Sequence, residues 1–583
     1  MRPVGQPYKI AFLLFLVLGI YYPAIFGGVN SVDDWRMLIG LDNCNHFSLK
    51  DLFSPTTTFY YRPLLMASFF FDKYAWGLEP SFMHLENVIL HAANTVLVFA
   101  IATAICKKSN KGAPAFPLLA AVIFAIHPIN TESVDWISGR TDLLGSFFIL
   151  AATLALIKGV AKQRLSLVGL ASFLTLLAII SKEVMLFFVP AGCLLIYCLP
   201  YIENHAIPGK QTGKLLVLYT LPFLIGILCY MIFRLALHGG NDTGFRFLAY
   251  QLHRNGIYLF SNSLKVFGFY TKKLFIPVPL NFSITTINNG YIFLGLLAGI
   301  LMFFLTVRIK KGTPVSFFFI IALYLITPAV IIALMSVAWT PVAERYVYLP
   351  SAFFSIALAG FFFSIVRDKK RILSGVILAG ILLAAATVTA KRNILWQSNE
   401  ALYRDSLRKS PDFLSLRNEL AIALIEKGDD SAAEDQLETA IHRQDPHRKN
   451  PLLYINLARI KVKEKKFAEA RGILFASMDS RENADPEVLK MLASVDEERI
   501  LAADYPDEER EKDILSELIT TYDAIYKKTK NPKDLYRNGQ LSLALGNSQK
   551  ALQYFTQAYQ EAPAGSYYKG PALKLSQKLS GAP

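Results

Sequence analysis

About eleven apolar runs, each long enough to cross a bilayer, recur through the first 390 residues and are separated by short loops rich in Lys and Arg. In hydrocarbon a run of about 20 apolar residues satisfies its backbone groups only as a helix. The pattern therefore predicts an all-α, polytopic membrane helical bundle. The spans fall near 10–28, 83–106, 115–130, 142–158, 165–181, 184–200, 215–237, 290–307, 315–336, 351–366 and 372–390. Behind the first run, Ile10 to Val29, there is no small-residue cleavage site, and further spans follow. It reads as an anchor rather than a removed signal peptide.

Charge sets the orientation. The chain has 583 residues and a net charge of +15, with 30 Lys and Arg against 15 Asp and Glu up to Ala390 and 30 against 30 from Lys391 onward. An excess confined to the membrane part argues against nucleic acid as a partner. The loops Lys107 to Lys111, Lys158 to Arg164, Tyr201 to Lys214, Arg308 to Lys311 and Arg367 to Arg371 are basic. Basic loops collect on the cytoplasmic side. This puts the N-terminus inside and residues 391–583 outside, after a membrane domain at 1–390 with a long outer loop at 30–82. Gly256 to Ile276 is apolar but carries Lys265, Lys272 and Lys273. Counting it as a span would invert two later basic loops, so 256–276 is expected to be an amphipathic helix on the outer surface.

Several polar clusters then share the outer side. Asp33 and Asp34 lie just beyond the first span in Ser31-Val32-Asp33-Asp34-Trp35-Arg36. A span end calls for basic or aromatic anchors, so an acid pair there suits chemistry, or else a helix cap. His84, Asn87, His91 and Asn94 are spaced to share one helical face. That face lines a cavity or bonds to neighbouring helices. The turn after the third span carries His127, Glu132, Asp135, Arg140 and Asp142, while Lys182-Glu183 and Glu344-Arg345-Tyr346 end other outer loops. Three loops thus each bring a cation beside an acid, a constellation that suits a phosphate or pyrophosphate headgroup.

Asp33-Asp34-Trp35, Tyr61-Arg62-Pro63-Leu64, Phe82-Met83-His84-Leu85-Glu86-Asn87 with His91, His127-Pro128-Ile129-Asn130-Thr131-Glu132-Ser133-Val134 with Gly139-Arg140-Thr141-Asp142, Lys182-Glu183 and Glu344-Arg345-Tyr346-Val347-Tyr348 appear in this order. Together they resemble the transmembrane and tetratricopeptide-repeat (TPR) O-mannosyltransferases. The resemblance implies a GT-C glycosyltransferase fold with its active site at the outer membrane interface. It also implies a polyprenyl-phosphate sugar donor, with mannose as the sugar, and a protein hydroxyl as acceptor. On this basis Asp33 or Asp34 is the base. Arg345, Arg140 and Lys182, supported by Arg62 and His127, are candidates for the donor phosphate. His84, Asn87, His91, Glu132, Asp142, Glu183, Glu344 and Tyr346 are candidates to line the cavity. Single displacement would invert the anomeric centre. A divalent cation, Mg or Mn, held by Asp33 or Asp34 is open, because one Asp pair without a third fixed ligand is a poor metal signature.

The tail follows a 34-residue helix-pair frame. Ala421, Gly428, Ala433, Leu437, Ala440 and Pro446 fit it, and Gly539, Gly546, Ala551, Phe555, Ala558 and Pro563 fit it again. Tyr454, Leu457, Ala458, Ala470 and Leu474 form a looser copy. A TPR-like α-solenoid of three to four pairs follows, suited to docking a peptide acceptor or to serving as a spacer. Three alternatives stand beside protein mannosylation: transfer of another sugar to a lipid or glycan, a non-catalytic membrane scaffold for the repeats, and a transporter or flippase for lipid-linked sugars, which would show paired repeats with broken helices that this sequence lacks. Sparse outer cysteines, with only Cys44 outside, and short loops favour a bacterial inner membrane with a periplasmic active site over the endoplasmic reticulum. Asn241-Asp242-Thr243 and Asn281-Phe282-Ser283 match the N-glycosylation pattern, which also arises by chance.

Overall fold

A computed structural model describes residues 5–42, 62–106, 114–202, 209–238, 256–308, 313–335, 339–365, 371–446 and 448–581. The part of the outer loop at 43–61, with Cys44 and Tyr61, lies outside the described residues, as do the basic loops 107–111, 309–311 and 367–370 and the Asn241 sequon. The described residues are mainly helical, with one isolated bridge between Ile284 and Val342. The chain divides into two compact units, 1–411 and 412–583.

The first unit is a polytopic membrane helical bundle, and a helix coincides with each expected apolar run. Among the described residues six helices are long and apolar enough to cross a membrane: Gln6–Phe26, Pro80–Cys106, Ile137–Ala161, Val315–Met335, Glu344–Ile365 and Ile372–Trp396. A seventh is broken, Phe116–Ala125 and Pro128–Asp135 meeting at a 46° bend. Pro128 accounts for the break, since a proline inside a helix removes a donor and clashes with the preceding turn. Leu165–Ser181, Glu183–Leu199 and Tyr291–Val307 are shorter apolar helices. The inward faces pack into one large core that includes Tyr21, Phe124, Leu156, Phe188 and Phe353. Phe15, Phe293 and Ile372 point outward and are exposed, as side chains facing lipid must.

The helix Gly256–Phe275 packs along Tyr291–Val307 and leaves Ile257, Tyr258 and Phe260 exposed. Gly268 and Gly295 make this possible, because a Cβ on either would strike the backbone of the facing helix. The first compact unit runs on past the last apolar helix to residue 411. Its physical cause is that Asn399, Tyr403 and Ser410 hydrogen-bond to Val29, Asn30 and Ser283.

The second unit is a solenoid of antiparallel pairs: Leu414–Lys427 with Asp430–Arg443, Pro451–Lys463 with Phe467–Ala476, Pro486–Leu501 with Glu508–Thr529, and Pro532–Ala544 with Ser548–Glu561, followed by Lys569–Ser580. Asn450, Asp485 and Asn531 cap three first helices with their side chains, each just ahead of a proline. That cap-then-proline order matches the free donors of a helix start. Ala421, Ala433 and Ala440 are fully buried, as are Ala458, Ala470, Ala551 and Ala558. These are the small residues of the repeat frame. Gly428 and Gly546 turn the chain between paired helices with φ of +81° and +73°.

Candidate active site

The turn Trp136-Ile137-Ser138 is where separate parts of the membrane unit meet. It sits between the broken third span and the helix Arg140–Ala161, and Gly139 permits its tightness because a Cβ there would strike the Ser133 carbonyl. Asp34 opens the helix Asp34–Asp42 and is fully buried. Its carboxylate accepts the Asn30 N–H (3.1 Å), the Ser138 N–H (3.0 Å) and the Ser138 hydroxyl. Burial pushes the Asp34 carboxyl up to about 7 against those hydrogen bonds, and the neighbouring Asp33 adds to the rise. Asp33 itself is exposed.

From the other side comes Arg345, on the turn Glu344–Val347. Its guanidinium pairs with Glu132 and lies 4.8 Å from the Trp136 ring centre and 4.9 Å from that of Tyr346. Glu132 also accepts the backbone N–H groups of Glu344 (2.8 Å) and Arg345 (3.1 Å). Glu344 accepts from Lys273 (2.5 Å) and from the Asn281 N–H (3.0 Å), and all but a few per cent of that pair is buried. The Tyr270 hydroxyl holds both the N–H and the carbonyl of Ala343 at 3.1 Å. The Arg345 turn is thus fixed from three elements.

Beside it, Lys182 pairs with Asp142 at 2.6 Å and lies 5.6 Å from the Tyr346 ring centre. Arg62 grips Glu183 with two bonds of 2.7 and 3.0 Å. Arg62 and Arg345 are both close enough for their charges to act on Lys182. Asp142, Lys182 and Tyr346 form the polar end of a small cleft, whose remaining wall is apolar and includes Val184, Phe188, Leu325, Ile332 and Leu349.

Other expected site residues are placed elsewhere. Arg140 is 1% exposed and wholly engaged by Asp72 (2.6 Å), Glu86 (2.9 Å), Asn87 (3.1 Å) and the Met83 carbonyl (3.0 Å). Through Asp72 these contacts tie the outer helix Pro63–Trp76 to the bundle. His127 spends both ring nitrogens, on the Leu274 carbonyl and the Ile129 N–H. The polar stripe bonds to several other parts of the membrane unit. His84 meets the Gly28 carbonyl, Asn87 the Trp136 carbonyl, His91 the Tyr348 hydroxyl and the Ala125 carbonyl, and Asn94 the Leu143 carbonyl. Asn281 is likewise buried, its amide donating to Ser283 and Ser410, so its side chain is not presented for glycosylation.

Among the described residues no group of three or more His, Cys, Asp or Glu could hold a metal ion. In the Asp pair, three donors already reach the Asp34 carboxylate, and Asp33 is the exposed member. Lys273, Asp72 and Ser138 were not foreseen. A lone Lys on the packed side of an apolar helix and a lone Asp in an aromatic run were the available signals; Ser138 had none.

Comparison with known proteins gives the same resemblance as the motifs. No family model matches the chain. It is 26% identical over 457 residues to Protein O-mannosyl-transferase TMTC3 of Mus musculus, covering 71% of this chain and 48% of that protein. A shorter match, 41% identical over 98 residues, covers 17% of this chain and 11% of Protein O-mannosyl-transferase TMTC2 of Mus musculus. The chain spans about half the length of TMTC3. A solved TPR protein with an unusual peptide-binding site, YrrB, aligns over 37% of this chain and 97% of its own at 18% identity and a TM-score of 0.23. Over most of its length, then, this chain is similar to the transmembrane and TPR protein O-mannosyl-transferases.

Proposed function

We propose that this chain is a membrane glycosyltransferase that moves a sugar, mannose by analogy with its relatives, from a polyprenyl-phosphate donor to a hydroxyl of a protein acceptor on the outer side of the membrane. The observation that carries the reading is the convergence of the Asp33-Asp34 hairpin and Arg345 on one turn, beside a cleft with a charged end and an apolar wall. A lipid phosphate has that same division of character.

The two acids divide the work. Asp34 pins the hairpin through Ser138 and Asn30, and Asp33 is exposed to receive the proton of the attacking hydroxyl. As the new bond to the anomeric carbon forms, the bond to the phosphate oxygen breaks and its electrons leave with the lipid phosphate. The phosphate gains negative charge at that moment. Arg345, Lys182 and Arg62 stabilise it, each held in position by its acid partner, Glu132, Asp142 or Glu183. The apolar wall accommodates the isoprenoid units next to the phosphate. Attack from the opposite face inverts the centre without a covalent intermediate. In this reading the repeat unit docks the acceptor polypeptide.

The test is label transfer from radiolabelled polyprenyl-phosphate mannose to acceptor peptides by purified protein. Transfer that depends on Asp33 supports the proposal. Label found only on lipid or glycan would redirect the acceptor, and no transfer by wild type would leave a membrane scaffold for the repeats.

A further inference from the structure

Between the end of the first helix and the Asp pair, the chain from Gly27 to Asn30 has no regular structure to satisfy its backbone. Gly27 bonds back to Ala24, Gly28 to His84 and Asn30 to Asp34, and a further set of bonds to this segment and the helix end before it comes from the far end of the membrane unit. Asn393 donates to the Ile20 carbonyl (2.8 Å), Gln397 to the Pro23 carbonyl (2.7 Å) and Asn399 to the Val29 carbonyl (2.8 Å). The Tyr403 hydroxyl then meets Asn30 Oδ1 at 3.2 Å and the Ser31 hydroxyl at 2.9 Å. Four side chains taken in order up one arm thus bond to acceptors taken in order along the other.

The last rung acts on the acids. Asn30 accepts the Val32 N–H on its side chain (3.0 Å), donates its own N–H to Asp34 (3.1 Å) and accepts the Trp35 N–H on its carbonyl (3.3 Å). Every one of these bonds shapes the turn that aims Asp33. The Tyr403 ring is itself stacked on Phe282, 6.1 Å between centres, so its hydroxyl sits on a braced support.

We infer that the arm following the last span, through Asn399 and Tyr403 acting on Asn30, is a positioning element for the Asp33-Asp34 turn. It touches no reacting atom. Its effect is to hold the base where a displacement of about 1 Å can cost about a hundredfold in rate. The inference rests on the role given to Asp33 above.

The test compares wild type, Tyr403→Phe, Asn399→Ala, Asn30→Ala and the Asn30→Ala/Tyr403→Phe double variant, all full-length in lipid nanodiscs. Hydrogen exchange and transfer kinetics are read on each. Tyr403→Phe and Asn399→Ala should speed amide exchange in the segment 28–37 alone and lower kcat about tenfold or more with the donor KM unchanged. The double variant should be no worse than the poorer single one, because both break the same link. Asn399→Ala leaves the Tyr403 ring in place and serves if Tyr403→Phe does not accumulate. Wild-type exchange and kcat in both single variants would overturn the inference, as would exchange raised across the whole membrane unit. Full transfer by Asp33→Asn would instead sink the reading of the site, while local protection of 28–37 by Tyr403 would remain a separate result.

Discussion

Arg345 stacks on Trp136 with 4.8 Å between the guanidinium carbon and the ring centre, and two residues along that turn Ser138 holds Asp34. Segments more than 300 residues apart in sequence therefore address one small region of the membrane unit.

Arg345→Ala should reduce transfer by about 10²–10³, the range for losing one donor to a developing charge. Arg345→Lys should recover little, because an ammonium can neither pair with Glu132 through a planar fork nor stack in the same way on Trp136. Steady-state kinetics with purified variants reads both.

The Lys273–Glu344 pair is buried inside the fold. Lys273→Met should destabilise the membrane unit by about 3–5 kcal/mol, since it leaves Glu344 without its cation. The double variant Lys273→Met/Glu344→Gln should recover much of that loss. Thermal unfolding in detergent measures the order of the three proteins.

Asp34 has a folded value of about 7 against an ordinary 3.8. Folding therefore takes up a proton between those values, and the sign follows: the stability this group contributes is complete below about pH 4 and is lost as pH rises through about 7. The wild-type melting temperature should fall across that window. In Asp34→Asn, whose side chain does not titrate, the slope should be shallower by this contribution.

Arg140 separates structure from catalysis. Arg140→Met leaves Asp72 and Glu86 without their cation, so the variant should unfold at a lower temperature. The donor KM of the protein that does fold should match wild type. Lys182→Met also strips buried Asp142 of its cation, so it too should melt lower; what sets it apart is a raised donor KM in the folded protein.

Much of the architecture was legible because it depends on local residue type. Apolar runs mark the helices of the bundle, and Ala421, Ala433, Gly539 and Ala551 mark close helix approach in the repeats. The candidate site was legible in part. Lys182 and Arg345 do gather with Asp142, Glu132 and Tyr346. Arg140, read from the same kind of loop, is consumed by Asp72, 68 residues earlier. Residue type discloses that a guanidinium needs a partner, but the partner is chosen by packing between distant helices. The same holds for Lys273, whose partner Glu344 lies 71 residues on, and for the His84 to Asn94 stripe, whose bonds go to carbonyls and a hydroxyl elsewhere in the membrane unit.

The division of labour at the acid pair is tested most directly by measuring donor binding and single-turnover transfer on Asp33→Asn. The account predicts wild-type affinity for polyprenyl-phosphate mannose together with a transfer rate lower by about 10² or more. Transfer by Asp33→Asn at the wild-type rate would contradict it.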